Sequence, residues 1–279
     1  MKRLVLVLGL LLFSSELGYG STLIGGRQVN PGEYPEVINI RSGRSSCTAS
    51  VIGPRVILTA AHCTKPGGVI VPLSENLFYE FQLDQMIYKA RCKIAPHYKQ
   101  QTGDQDMALC KTDRKIDVKY ASLSKEGPKL MEIVTLIGYG CIRQGGGGGN
   151  DGILRIGEAR VIKESNLEWY SFHTKGNSAL CFGDSGGPSF KQVFDPKHEH
   201  HYIYGVNSRG DIKELSMLTA VYHPESLKFA RDFERDQKVK ICGLSLNCDK
   251  GGKEPRTCAY ELELVKDSVS SLDKCLSKE

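Results

Sequence analysis

Hydrophobic residues in this chain come in short runs rich in β-branched side chains, broken by glycine, proline and charged residues. Runs of this length predict strands rather than helices. They occur at VINI (37–40), ASVIGPRVILTAA (49–61), FYEFQLDQMIYKARCKIA (78–95), MALCK (107–111), EIVTLIGYG (132–140), ILRIGEARVI (153–162) and HHYIYGVNS (200–208). LTAVYHP (218–224) reads as the last strand. QGGGGGN (144–150) predicts a flexible loop, because consecutive glycines cannot hold a fixed strand. The one clear helix is PESLKFARDFERDQ (224–237). Pro224 can start it, and Leu227, Phe229, Ala230 and Phe233 give it an apolar face. There is no internal repeat.

The ends of the chain read differently. Lys2 and Arg3 precede an apolar run from Leu4 to Phe13, too short to span a bilayer, and Gly18-Tyr19-Gly20 has the form of a cleavage site. Residues 1–20 are therefore expected to be a signal peptide, and the mature protein to be exported to a secreted, extracellular or periplasmic location. No later run is long and apolar enough for a membrane helix, so no membrane partner is expected. Residues 241–279 form a polar tail with four cysteines.

Composition narrows the classes. A chain of 279 residues with 40% hydrophobic content can bury one large all-β domain or two smaller units. The net charge of +5 comes without a dense basic run, which argues against a nucleic-acid partner. Ten cysteines in an exported chain point to disulfides. The spacings of Cys47/Cys63 and Cys92/Cys110 are not those of zinc ribbons, and disulfides are favoured over metal ligands for Cys242, Cys248, Cys258 and Cys275. HEHH (198–201) is expected to be a solvated loop between strands, not a metal site.

Three segments carry chemistry. LTAAHC (58–63) contains His62, DQDMALC (104–110) contains Asp106, and CFGDSGGPSF (181–190) contains Ser185. A hydroxyl is a poor nucleophile at neutral pH. It needs a base to take its proton and a buried carboxylate to orient that base. The glycines around Ser185 suit an oxyanion site, where backbone N–H groups must approach the attacked carbonyl without a Cβ in the way. Gly183 and Ser185 would supply those donors.

These segments, together with LIGG (23–26), DMAL (106–109) and GYG (138–140), resemble the trypsin/chymotrypsin family of serine endopeptidases in content and order, over about residues 23–240. The resemblance implies an all-β fold of two six-stranded antiparallel β-barrels, an active site between them and a C-terminal helix. It implies a catalytic triad of His62, Asp106 and Ser185, with Ser208 supporting the aspartate. Protein or peptide substrates are implied, and no cofactor or metal. Residues 21–22 would be a short propeptide, removed so that the amine of Leu23 pairs with Asp184. A catalytically inactive binding protein on the same scaffold and an esterase-like hydrolase are the alternatives.

The resemblance also implies disulfides and a specificity pocket. Cys47–Cys63 matches a family bridge beside the histidine, and Cys92–Cys110 would link strands flanking Asp106. The family's partner for Cys181 is missing from SRGDIKELSM (208–217); the family brings the GYG turn and the segment before Ser185 together, so the resemblance implies Cys141–Cys181 instead. The pocket floor falls at Ala179 and the walls at Gly210 and Ala220. Alanine offers no countercharge for Lys or Arg, so cleavage is expected after Phe, Tyr, Leu or Met. Thr48-Ala49, Tyr139 and Arg209 stand where the family has a glycine pair and two tryptophans.

Overall fold

A computed structural model describes residues 23–42, 45–64, 79–83, 86–149, 151–192 and 200–248. The expected signal peptide, the dipeptide 21–22, and Cys258 and Cys275 lie outside the described residues. No helix among the described residues is long and apolar enough to cross a membrane.

The first unit is one antiparallel sheet built from β2 (Val37–Ser42), β3 (Ser45–Gly53), β4 (Val56–Thr59), β5 (Tyr79–Leu83), β6 (Met86–Ile94) and β7 (Ala108–Thr112). The strand order is β2-β3-β4-β7-β6-β5. The sheet curls until β5 lies beside β2, although these two share no hydrogen-bonded ladder among the described residues. Alternation gives the sheet the apolar face that the curl encloses. In β6, Tyr88, Ala90 and Cys92 face inwards while Lys89 and Arg91 face out, the period-two pattern of a half-buried strand. The interior holds Ile38, Val51, Ile57, Tyr88 and Ile116.

The second unit contains β9 (Ile133–Gly138), β10 (Arg155–Lys163), β11 (Ser171–Lys175), β12 (Pro188–Lys191), β13 (Tyr202–Gly210) and β14 (Leu215–Ala220). It closes into a barrel, because β9 pairs with both β10 and β12. Two short strands flank it: β1 (Arg27–Gln28) extends β10, and β8 (Ser122–Leu123) runs parallel to β13. The strand pattern in the sequence overlooks β11 and β12. Both are short, and β12 begins on a proline, which removes a ladder donor and weakens the signal.

Another apolar cluster lies between the units. It joins Leu58, Met107 and Leu109 of the first to Ile137, Phe190 and Val206 of the second, and to Phe229, Ala230 and Phe233 of the helix α1 (Pro224–Gln237). The helix starts where Pro224 predicts. His223 caps it, its side chain accepting the Glu225 N–H at 3.2 Å, and Lys238 ends it in a left-handed conformation.

The start of the polar tail belongs to the core. Ile241 and Cys242 are fully buried, Cys242 N–H donates to Ile52 O at 2.8 Å, and a disulfide joins Cys242 to Cys248.

Of the HEHH segment, residues 198–199 lie outside the described residues, and His200 and His201 differ from the solvated loop expected of them. His201 is fully buried just ahead of β13, stacked on Tyr34 and tilted against Phe190, with Nδ1 bonded to buried Glu36 just ahead of β2. His200 bonds Ser122 Oγ at 2.7 Å. An apolar slot between the units takes the imidazole, and Glu36 supplies the hydrogen bond that a buried ring nitrogen needs.

Candidate active site

His62 sits in a 3-10 turn (Ala61–Thr64) that follows the fully buried strand β4. Asp106 precedes β7. Its approach is set by Gln105, a buried residue with φ +46 whose Oε1 accepts the His97 N–H at 2.9 Å. The two meet closely. His62 Nδ1 lies 2.6 Å from Asp106 Oδ2, and His62 N–H donates to Oδ1 at 3.0 Å. A carboxylate only accepts, so Nδ1 carries the proton and Nε2 holds the free lone pair. Ser208 of β13 donates to the same Oδ2 at 2.7 Å. The Asp106 side chain is 3% exposed and that of His62 36%. The carboxylate is thus shielded while the imidazole faces the cleft between the units.

Ser185 lies half-buried in the turn before β12. One continuous path ties it to His62. Cys63 follows the histidine and is bonded to Cys47, and Thr48 N–H next along donates to Ser185 O at 2.8 Å. The Thr48 hydroxyl donates to Gly183 O at 2.9 Å and accepts the Tyr139 N–H at 3.1 Å. Thr48 thus braces the Ser185 segment, a role its sequence position does not reveal, since it stands where the family has a glycine. Its signal is only a polar residue inside an apolar strand. Asn207 is a second such brace: its Nδ2 donates to Ile137 O at 3.0 Å, and its backbone O accepts the Gly186 N–H at 2.8 Å.

The backbone here needs its glycines. A Cβ on Gly186 would sit 2.1 Å from Thr59 Oγ1 and 2.3 Å from Thr48 O. Gly183 has φ +102. Neither Gly183 N–H nor Ser185 N–H donates to another group among the described residues, so both remain available to an incoming oxygen.

Asp184, between them, is fully buried. Its oxygens accept the Gly140 N–H at 2.8 Å and the Cys181 N–H at 2.9 Å. Burial nevertheless pushes its carboxyl up to about 7, outweighing these bonds and the positive charge of Arg155. Leu23 is also fully buried, in the barrel interior beside Val134 and Leu136. In the uncut chain its nitrogen is a peptide nitrogen and carries no charge.

The structure joins Cys92 to Cys110, directly opposite one another across β6 and β7, and Cys141 to Cys181. Cys47 and Cys63 bring donor atoms near His62, but their sulfurs are bonded to each other.

Ala179 is fully buried in a cluster with Ile24, Cys141 and Cys181. Gly210 and Ala220, the expected walls, do not lie opposite one another. The residue opposite Gly210 across β13 and β14 is Ser216, whereas Ala220 pairs with Gly205 and lies inside the barrel with Phe172 and Leu218. The turn between these strands is only residues 211–214. Strand β14 therefore begins before the 218–224 stretch where the apolar pattern places it, and its register moves Ala220 away from the cleft.

Arg209 is exposed and reaches across the cleft. A Cβ on Gly103 would lie 1.5 Å from its guanidinium, so the two are in contact. Tyr98 on the same rim is pushed up to about 12 by burial and by the Asp106 charge.

Two six-stranded β units meeting at a histidine–aspartate pair and a glycine-flanked serine have the layout of a two-barrel serine protease. The family model described as Trypsin matches residues 23–229, and the chain belongs to that family. It is 26% identical over 185 residues to "Serine protease SP24D" of Anopheles gambiae, covering 61% of this chain and 68% of that protein. It is 24% identical over 230 residues to "Trypsin-like protease" of Streptomyces glaucescens, covering 76% and 81%. With "Cathepsin G" of Mus musculus it shares 27% over 209 residues, covering 67% and 78%.

Proposed function

We propose that the chain is an exported serine endopeptidase that works through an acyl-enzyme. The observation that carries this is the chain of short bonds from His62 Nδ1 to Asp106 Oδ2 to Ser208 Oγ, 2.6 and 2.7 Å long. It leaves His62 Nε2 unprotonated and able to take a proton from Ser185. The Ser185 oxygen then attacks the scissile carbonyl. Negative charge develops on the carbonyl oxygen, and the free N–H groups of Gly183 and Ser185 would receive it. The imidazolium that forms is stabilised by Asp106 and returns the proton to the leaving amine. Water, deprotonated by the same nitrogen, releases the acyl group from Ser185.

Export is supported by four disulfides among the described residues. An apolar rather than basic residue before the cut is supported by Ala179, since a buried cation there would lack a countercharge. Maturation by release of Leu23 is supported by the buried Asp184, whose raised pKa an adjacent ammonium would lower.

Labelling by a fluorophosphonate, alongside hydrolysis of peptides and esters, tests the reading. Wild type should label and cleave peptides, and Ser185→Ala should do neither while keeping its thermal midpoint. Wild-type protein that fails to label would be a binding protein; one that cleaves esters and leaves peptides intact would be an esterase. Active protein whose N-terminal sequence starts at Ser21 rather than Leu23 would contradict the maturation step.

A further inference from the structure

The residue that should admit a substrate side chain is closed off. An open pocket beside the nucleophile segment leaves its floor reachable by water. Ala179 and Ser216 are 0% exposed, so nothing as large as a water molecule touches either of them, and Leu180 is only 3% exposed.

Ile212 is the residue placed to do this. It lies in the four-residue turn between β13 and β14 and packs against the cluster of Ile24, Cys141, Ala179 and Cys181. Its φ is +58, a conformation that a β-branched residue avoids. Strain of this kind persists only where the surroundings hold it, and three features hold it. Asp211 Oδ1 accepts the N–H groups of Lys213, Glu214 and Leu215, each at 2.9 Å. Ile212 O accepts the Gly145 N–H at 3.1 Å, which pins the turn to the glycine-rich loop. The Cys141–Cys181 bond fixes the surface on which the side chain rests. That loop is itself built rather than loose: Gly145 to Gly149 all have positive φ, and Gly147 O accepts the N–H groups of Ile142 and Arg143.

We infer that Ile212 fills the primary specificity pocket and restricts the residue before the cut to Gly, Ala or another very small side chain. This rests on the serine-protease reading and narrows it. Phe, Tyr, Leu and Met, the residues suggested by Ala179 alone, would require Ile212 to leave its cluster.

The test uses mature protein and peptide anilides that differ only at this position: Gly, Ala, Val, Leu and Phe. For wild type, kcat/KM for Ala should exceed that for Phe by about tenfold or more. In Ile212→Gly the Phe-to-Ala ratio of kcat/KM should rise by about 10–100-fold, since each methylene admitted to an apolar pocket contributes on that scale. Glycine is at ease at φ +58, so this variant removes strain as it removes the side chain. Ile212→Ala should fall between. Wild type that cleaves after Phe as well as after Ala, or a ratio unmoved in Ile212→Gly, overturns the inference. A small fluorophosphonate reacts at Ser185 without using the pocket and separates the two failures. Labelled protein with the wrong preference refutes the role of Ile212 alone. Unlabelled protein refutes the protease reading and this inference with it.

Discussion

Replacing Asp106 with Asn keeps the shape of the side chain and changes what it can bond. Three donors converge on the carboxylate: His62 N–H on Oδ1, and His62 Nδ1–H and Ser208 Oγ–H on Oδ2. An amide offers one oxygen and one NH2. If the oxygen faces His62 Nδ1, the NH2 opposes the His62 backbone N–H at about 3 Å, and a buried donor left without an acceptor costs about 1–3 kcal/mol. If the amide turns over, the oxygen takes the backbone N–H and the NH2 faces Nδ1. The imidazole must then accept at Nδ1 and carry its proton on Nε2, where it cannot act as a base. The second arrangement satisfies more bonds, and it abolishes the active tautomer. The imidazolium formed during attack also loses its anion. In this family the same change lowers turnover by about 10⁴, or roughly 5 kcal/mol at about 1.4 kcal/mol per decade. The assay is kcat on a peptide anilide at neutral pH, corrected by active-site titration, with urea unfolding to show that the fold is kept. A kcat within about tenfold of wild type would refute both the tautomer argument and the placement of Asp106 as the orienting group.

Two further outcomes follow from buried polar groups. His223 caps α1 only when neutral, because Nδ1 accepts from Glu225 N–H while Nε2 donates to Asn166 O at 3.1 Å. Burial lowers its pKa below the usual value, so this stabilisation is complete above about pH 6.5 and is lost as pH falls through the folded value. His223→Asn keeps a capping oxygen without a titrating group and should flatten the fall in urea midpoint between about pH 6.5 and 5; an unchanged slope would reject the cap as its source. Glu36→Ala removes the carboxylate bonded to His201 between the two units, and leaves a buried ring nitrogen without its partner, which should destabilise the protein by about 1–3 kcal/mol in urea unfolding. A loss under about 1 kcal/mol would mean that the pair does not help hold the units together.

Sequence alone determined the parts that chemistry makes local. Alternating and β-branched runs marked most strands, because a half-buried strand must expose every second residue. Pro224 and the apolar spacing behind it marked α1. His62, Asp106 and Ser185 stood out as candidates because their three segments follow the order of the trypsin/chymotrypsin family and glycines flank Ser185, all within a few positions of each residue. Whatever depended on residues distant in sequence was decided by the tertiary structure. Thr48 and Asn207 look like ordinary strand residues until folding puts their polar atoms against the nucleophile segment, 135 residues from Thr48 in the case of Gly183. His201 looked like part of a solvated loop, and only the slot between the units and the carboxylate of Glu36 explain its burial. The place of Ala220, paired with Gly205 inside the barrel, was decided in the same way. A turn of four residues between β13 and β14 sets the register, and register decides which side chain faces the cleft. Ile212 gives no sign in the sequence of its positive φ, because that conformation is imposed by Asp211, the glycine loop and the Cys141–Cys181 bond acting together from separate parts of the chain.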